Sequence, residues 1–201
     1  VGLRAAGQLG APQDQRVRLL ALTSSPERAP LLRACGITPL PGDLDQPATL
    51  RRLSGLAQRV LHLAPPPGDA RGVVHHDPRT RDLLRALRLR TPPQALVYAS
   101  TTGVYGDCQG QRVNEMRAVQ PHTARAHRRV DAEQWVRLYG RSGVRSSILR
   151  VPGIYAQDRA GGTPRERLLK GTPVLQAQDD VYTNHIHAND LARACVLALW
   201  R

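Results

Sequence analysis

Leu96 to Gly106 reads LVYASTTGVYG, and the fold follows from it. Leu96 to Ala99 are apolar or aromatic without a polar interruption, as in a strand buried on both faces of a parallel sheet. The run then enters a hydroxyl cluster, Ser100, Thr101 and Thr102, and a turn bounded by Gly103 and Gly106. Hydroxyls at the carboxyl end of a buried strand lie where open α/β sheets bind ligands.

Outward from this strand, strand-like and helix-like segments alternate, the pattern of a parallel sheet covered by helices. Before it come strands at Arg16 to Leu22, Ile37 to Leu40 and Arg59 to Ala64, the last stopped by Pro65, Pro66 and Pro67, which cannot continue a ladder. Helices are expected at Glu27 to Ala34, Pro47 to Leu56 and Asp77 to Leu89, where Leu83, Leu84 and Leu87 share one side. After it come a helix at Thr123 to Tyr139, a strand at Ser146 to Val151 and a helix at Ala188 to Trp200, with Asn189 or Asp190 as candidate cap. One dinucleotide-type domain over 1–201 accounts for this order, and 152–201 begins a substrate-side portion.

Composition sets bounds. With 201 residues, 41% of them hydrophobic, the chain can bury a core. It has neither an apolar run of bilayer length nor an opening that reads as a secretion signal, so the cytoplasm is the expected compartment and no membrane partner is expected. Cys35, Cys108 and Cys195 are isolated, and the pairs His75/His76 and His185/His187 lack a nearby Cys or carboxylate cluster at ligand spacing. Neither a disulfide framework nor a metal site is expected. The net charge of +13 invites a nucleic-acid reading. Against it, Lys170 is the one lysine among 29 basic residues, the arginines are spread over nearly every element, and stacking aromatics are few. Arginine bias with no Phe and many Ala, Gly and Pro is what a GC-rich coding sequence produces, so no nucleic-acid partner is expected.

The opening VGLRAAGQLG reads as the first turns of a helix with no strand before it, and the chain stops on an apolar helix. A doubly wound sheet has its first strand at the centre, so the expectation is a truncated sheet with unpaired edges flanking a gap. Gly2 fits the last glycine of a G-x-G-x-x-G turn that brings pyrophosphate to a helix N-terminus; an ordinary helix-start glycine fits too. About 20 residues on, a strand ends in Thr23, Ser24, Ser25, Pro26, Glu27 and Arg28. Hydroxyls with a nearby Arg there accommodate a 2′-phosphate, whereas an acid would repel it. Thr23, Ser24 and Arg28 therefore favour NADP over NAD, against the reading of a capped helix with Arg28 in solvent. Asp43 can accept from an adenine amino group while Leu44 covers the ring, and small residues after His62 would let a cofactor approach the backbone.

Taken in order, GDL at Gly42 to Leu44, HLA at His62 to Ala64, VYASTTGVYG at Val97 to Gly106, LRVPGIY at Leu149 to Tyr155 and NHIHANDLARA at Asn184 to Ala194 resemble the extended and atypical short-chain dehydrogenase/reductase superfamily, in its NAD-dependent epimerase/dehydratase branch. The resemblance implies a Rossmann fold, a nicotinamide dinucleotide touching Gly2, Asp43, Leu44, Leu63, Ala64, Ser100 and Pro152, and a small substrate such as a sugar nucleotide. It admits a homodimer. It implies that Thr101 hydrogen-bonds the reacting oxygen.

In that family a Tyr acts as general acid/base, and a Lys four residues later lowers its pKa and holds the nicotinamide ribose. Counting back from Glu133 puts Arg125 at the Tyr position and Arg129 at the Lys position. Arg129 can donate to a ribose hydroxyl, but Arg125 cannot act as the acid, because guanidinium keeps its proton above pH 12. Tyr105, Tyr155 and water are the remaining proton sources, with Tyr105 in the loop that follows Thr101. Arg129 and Glu133 also fit a surface ion pair. Two readings stand: an NADP-preferring oxidoreductase or epimerase/dehydratase-like enzyme, and a catalytically silent dinucleotide sensor.

Overall fold

The structure, a computed structural model, describes residues 1–9, 17–68, 75–158, 163–174 and 176–201. The chain runs α1 (Gly2–Leu9), β1 (Leu19–Thr23), α2 (Ala29–Ala34), β2 (Ile37–Pro41), α3 (Pro47–Leu50), β3 (Arg59–His62), α4 (Pro78–Leu87), β4 (Ala95–Thr101), α5 (Ala124–Gly140), β5 (Arg145–Val151), β6 (Gly153–Tyr155), α6 (Pro164–Leu169), β7 (His185–His187) and α7 (Ala188–Trp200). All strand pairings are parallel, as expected of a doubly wound α/β fold. Among the described residues the strands divide into β1–β2, β3–β4–β5 and β6–β7.

β4 is the middle strand of its sheet, bonded to β3 and β5, and Ala95 to Tyr98 are completely buried. Successive side chains alternate between faces. Leu96 and Tyr98 join Leu83, Leu84 and Leu87 of α4 and Ala132, Val136 and Tyr139 of α5. Ala99 packs on the opposite side with Leu61, Leu149 and Val151, under Leu191 and Cys195 of α7. Both faces are thus covered, which is why LVYA carries one polar side-chain group, the Tyr98 hydroxyl, and that group is hydrogen-bonded. On the far side of the division, Pro39 and Pro41 lie on β2, whose one strand partner among the described residues is β1. Alternate strand residues aim their main-chain groups at the same side, so the two prolines remove donors from a single edge and leave β2 poorly suited to further pairing.

Several helix boundaries depend on capping side chains that the sequence pattern locates. Asp77 caps α4 by accepting from the Thr80 N–H, and Thr123 caps α5 by accepting from the Ala126 N–H. Two expectations are corrected. The helix drawn to Leu56 leaves α geometry after Leu50, tightens into a 3₁₀ turn over Arg51–Leu53 and ends as Ser54 turns extended and Gly55 takes φ +70°. The cap of α7 is neither Asn189 nor Asp190. His187 accepts from the Asn189 N–H at 3.3 Å, because the helix starts directly off β7. At the other end of α7, Arg59 and Arg145 both donate to the Leu199 carbonyl, at 3.1 and 2.9 Å. This satisfies an acceptor the helix leaves open and places positive charge at its C-terminus.

One buried carboxylate ties α5 to two strands. Glu133 is wholly buried. It accepts from Ser100 Oγ of β4 at 2.7 Å, from the Arg150 guanidinium of β5 at 2.8 and 3.1 Å, and from Arg137 at 3.0 Å. Burial on its own would push this carboxyl up; the hydrogen bonds from Arg150 and Ser100, with the charges of Arg150 and Arg137, hold it below its ordinary value. Removing one partner of a buried pair leaves the other charge uncompensated. Glu133→Gln is therefore expected to lose about 3 kcal/mol of stability in urea unfolding. Arg137→Ala, on a half-exposed partner, should lose under about 1 kcal/mol. Equal small losses for the two variants would refute the clamp.

Candidate functional site

The described loops at the carboxyl ends of β1 and β2 form an open pocket of about 870 Å³. Thr23, Ser24, Gly42 and Asp43 line it together with Thr49, Arg33 and Arg52. Thr23 and Ser24 arrive there at the end of β1, and Gly42 and Asp43 follow β2 directly. Gly42 is closely packed: a Cβ there would come within 2.7 Å of Leu22 Cδ1, so the Leu22 side chain would have to move. The Asp43 loop is self-contained. The Thr49 hydroxyl accepts from the Asp43 N–H at 3.0 Å and faces the Asp43 carbonyl at 3.1 Å, and Asp43 Oδ1 accepts from the Asp45 N–H at 2.9 Å. Arg28 ends an exposed 3₁₀ turn outside the pocket lining, and its place there is taken by Arg33 and Arg52. Leu44 packs against the apolar cluster under α4 rather than lining the pocket.

Gly2 begins α1 beside the end of β3. A Cβ on it would sit 3.6 Å from Leu63 Cδ1, so the two segments that the sequence assigns to one ligand are neighbours. Ala64 follows Leu63, and Pro152 lies between β5 and β6; both are partly buried.

At the end of β4, Thr101 is partly exposed and its Oγ1 accepts from the Gly103 N–H at 3.3 Å, which starts the 3₁₀ turn Thr102–Tyr105. Gly106 ends the turn at φ +71°, where a Cβ would lie 2.2 Å from the Gln120 carbonyl oxygen. Neither the conformation nor the space admits another residue. Ser100 spends its hydroxyl on Glu133. Tyr105 is buried beneath the Arg150 guanidinium, 4.7 Å from its ring centre.

The two arginines on α5 diverge. Arg125 is exposed. Arg129 is only 6% exposed and donates through one Nη to the Tyr98 hydroxyl at 3.0 Å and to the Ala99 carbonyl at 2.6 Å. Its committed hydrogen bonds therefore lie in the core rather than on the pocket wall. The surface pair expected between Arg129 and Glu133 does not form, because Glu133 is drawn inward by Arg150 and Ser100. Tyr155 is 46% exposed and stacks edge-on against His187, with ring centres 5.2 Å apart.

The structure adds a buried chain of polar groups that the sequence does not announce. The Thr80 hydroxyl donates to Asp77 Oδ2 at 2.6 Å, so the His62 Nε2–H, 2.9 Å away, donates to Thr80. Burial, then the charges of Arg129 and Arg79, push His62 down to about 3. Burial raises the adjoining Tyr98 hydroxyl to about 12 in spite of Arg129. The sequence does signal part of this, since Asp77-Pro78 with Thr80 following is a helix-start pattern. Nothing in it points to His62. Among the described residues no group of three or more His, Cys, Asp or Glu could hold a metal ion, and no helix is long and apolar enough to cross a membrane.

The model of the NAD dependent epimerase/dehydratase family matches residues 11–201. The chain belongs to this family. Solved structures share the family fold at low identity. They include a putative epimerase from Burkholderia cenocepacia (TM-score 0.78, 22% identity, 98% of this chain and 67% of that one) and the UDP-glucose 4-epimerase of Thermus thermophilus in complex with NAD (0.76, 23%, 100% and 71%). The Streptomyces venezuelae dTDP-glucose 4,6-dehydratase, a double mutant with NAD bound, is similar at TM-score 0.73 and 21% identity over 98% of this chain and 66% of that one. The chain thus spans about two thirds of these relatives' lengths. No protein of curated function matches it.

The donor set of the β1–β2 pocket suits the adenosine end of the family's dinucleotide: hydroxyls for a ribose or its phosphate, two arginines for negative charge, and a carboxylate for an exocyclic amine. Outside the pocket lining, the buried neutral imidazole of His62 has a consequence for stability. Its folded pKa lies below the unfolded value of 6.5, so unfolding takes up a proton and stability falls as pH drops from about 6.5 toward 3. The slope from this group approaches about 1.4 kcal/mol per pH unit. Urea melts at pH 7, 6 and 5 should show a loss in the native protein that is smaller by this amount in His62→Asn. Parallel pH profiles would contradict the assignment.

Proposed function

We propose that the protein binds NADP in preference to NAD and serves as an oxidoreductase or epimerase/dehydratase-like enzyme on a small substrate. The observation that carries this is the β1–β2 pocket. Thr23, Ser24, Arg33 and Arg52 line it, and Asp43 is the one carboxylate among its lining residues. A 2′-phosphate meets hydroxyls and guanidinium groups there, whereas recognition of a bare ribose would favour an acid. Thr23, Ser24 and Asp43 would hold the adenosine end, Gly2 with Leu63 and Ala64 would let the pyrophosphate approach the backbone, and Ser100 and Pro152 would border the inner end. When bound, the nicotinamide ring supplies or accepts a hydride.

Thr101 is the group at the end of β4 placed to orient a reacting oxygen. For the proton, Tyr155 is accessible, whereas Tyr105 is buried under Arg150 and Arg129 is bonded to Tyr98 and Ala99. That same commitment of Arg129 favours a second reading, a silent sensor that binds the dinucleotide without turning it over. Turnover that Thr101→Ala abolishes would exclude the sensor.

Calorimetric titration is expected to give saturable NADPH binding at least about tenfold tighter than NADH, one phosphate interaction being worth about 1.5 to 3 kcal/mol. Arg33→Ala or Arg52→Ala should narrow the gap while leaving NADH unchanged. Equal affinities would overturn the NADP preference, and no saturable binding of either would overturn the cofactor reading.

A further inference from the structure

Two guanidinium groups at the carboxyl end of β4 are already spent. Arg150 is bonded to Glu133 and to the Glu115 carbonyl, and Arg129 to the Tyr98 hydroxyl and the Ala99 carbonyl. Arg125 differs from both: it is exposed, and among the described residues it has neither a hydrogen bond nor an ion pair. Its place follows from how α5 is held. Ahead of the helix, the Gln120 N–H donates to the Val104 carbonyl at 2.9 Å, and Gly106 packs so closely on the Gln120 carbonyl that no Cβ fits between them. The first turn of α5 therefore starts against the turn that follows Thr101. From there Arg125, Arg129 and Glu133 recur every four residues, about 6 Å apart along the axis. Glu133, bonded to Ser100, is wholly buried; Arg129, bonded to the Ala99 carbonyl, is 6% exposed; Arg125 emerges beyond them. One face of the helix thus leaves the core at the end of β4 and finishes in an uncommitted cation.

We propose that Arg125 and Thr101 form an oxyanion-recognising subsite, so that the substrate carries a carboxylate or phosphate group next to the part that reacts. The inference rests on the reading above, in which Thr101 orients the reacting oxygen beside a bound dinucleotide. Thr101 Oγ1 accepts from the Gly103 N–H, so its own proton is left to donate outward to an oxygen. A guanidinium brings a permanent charge and a planar fork of donors that matches carboxylate or phosphate oxygens two at a time. It has no proton to exchange near neutrality, so Arg125 holds a substrate and does not transfer a proton to it. Helix polarity points the same way. Arg125 lies in the first turn of a 17-residue helix that has no acidic residue there. The N-terminal end of a helix disfavours a cation and favours an anion. A solvated arginine gains nothing from this position, whereas an anion held against it answers both the side chain and the helix end.

The test titrates the protein, first saturated with NADPH so that the β1–β2 pocket is filled, with malonate, inorganic phosphate and the uncharged malonamide. Malonate or phosphate is expected to bind saturably and malonamide not to, and the tighter of the two anions identifies the group. Arg125→Gln should weaken that anion by about tenfold or more, as the loss of charge-assisted bonds implies. NADPH affinity should stay within about twofold, because the two sites are separate. Arg141→Gln, which removes an exposed arginine at the other end of α5, should leave the anion unaffected. Four results would overturn the proposal and leave the cofactor reading standing: no anion binding to the NADPH complex, malonamide binding as tightly as malonate, an anion affinity that Arg125→Gln does not change, or equal weakening by Arg125→Gln and Arg141→Gln. Loss of NADPH affinity in step with the anion in Arg125→Gln would also overturn it, by placing Arg125 on the cofactor. A native protein that does not bind NADPH would overturn the cofactor reading and this inference with it.

Discussion

A carboxylate with no exposed surface must find partners for both oxygens, and Glu133 finds them on three different elements. Ser100 reaches it from β4, Arg150 from β5 and Arg137 from its own helix. This requirement aligns α5 against the middle of the sheet, and the rest follows from that alignment. Arg150, drawn toward Glu133, lies over the Tyr105 ring and covers it. Arg129, one turn earlier on α5, comes to rest against Tyr98 and the Ala99 carbonyl. The polar groups nearest the end of β4 are therefore mostly committed to one another. Among Ser100, Thr101 and Tyr105, Thr101 alone keeps a partly exposed side chain, bonded to a local backbone N–H.

The chemistry open to the site is set by what these bonds consume. A helix that offered a Tyr and a Lys could move a proton and hold a ribose; α5 offers an exposed Arg125 and an Arg129 fixed in the core. The fold is that of the NAD dependent epimerase/dehydratase family. In the function proposed above, binding and proton transfer are separable: the β1–β2 pocket would serve the first, and Thr101 with Tyr155 the second.

Legibility in the sequence tracked how local the physics is. LVYA at Leu96 to Ala99 signals a two-faced strand because burial on both sides favours apolar and aromatic side chains, and Thr123 and Asp77 signal helix starts because capping acts within three residues. Pro65 to Pro67 stop a strand for the same local reason. Long-range partners were hidden. Glu133 and Arg150 are 17 residues apart, Arg79 and Asp45 are 34 apart, and no periodicity links either pair. Reading Arg129 and Glu133 as a surface pair uses the helix spacing correctly and misses that β4 and β5 compete for the same carboxylate. Arg28 looks suited to a phosphate by proximity in sequence, whereas Arg33 and Arg52 reach the pocket because α2 and the turn after α3 fold over β2.

A crystal structure of the protein with NADPH bound tests the central claim most directly, because it records the cofactor's place and the state of α5 together. The expected result has the adenosine end against Thr23, Ser24 and Asp43, Glu133 still bonded to Ser100 and Arg150, and Arg129 still on Tyr98 and the Ala99 carbonyl. Arg129 released from those partners and bonded to the nicotinamide ribose, or a cofactor lying away from the β1–β2 pocket, would contradict it.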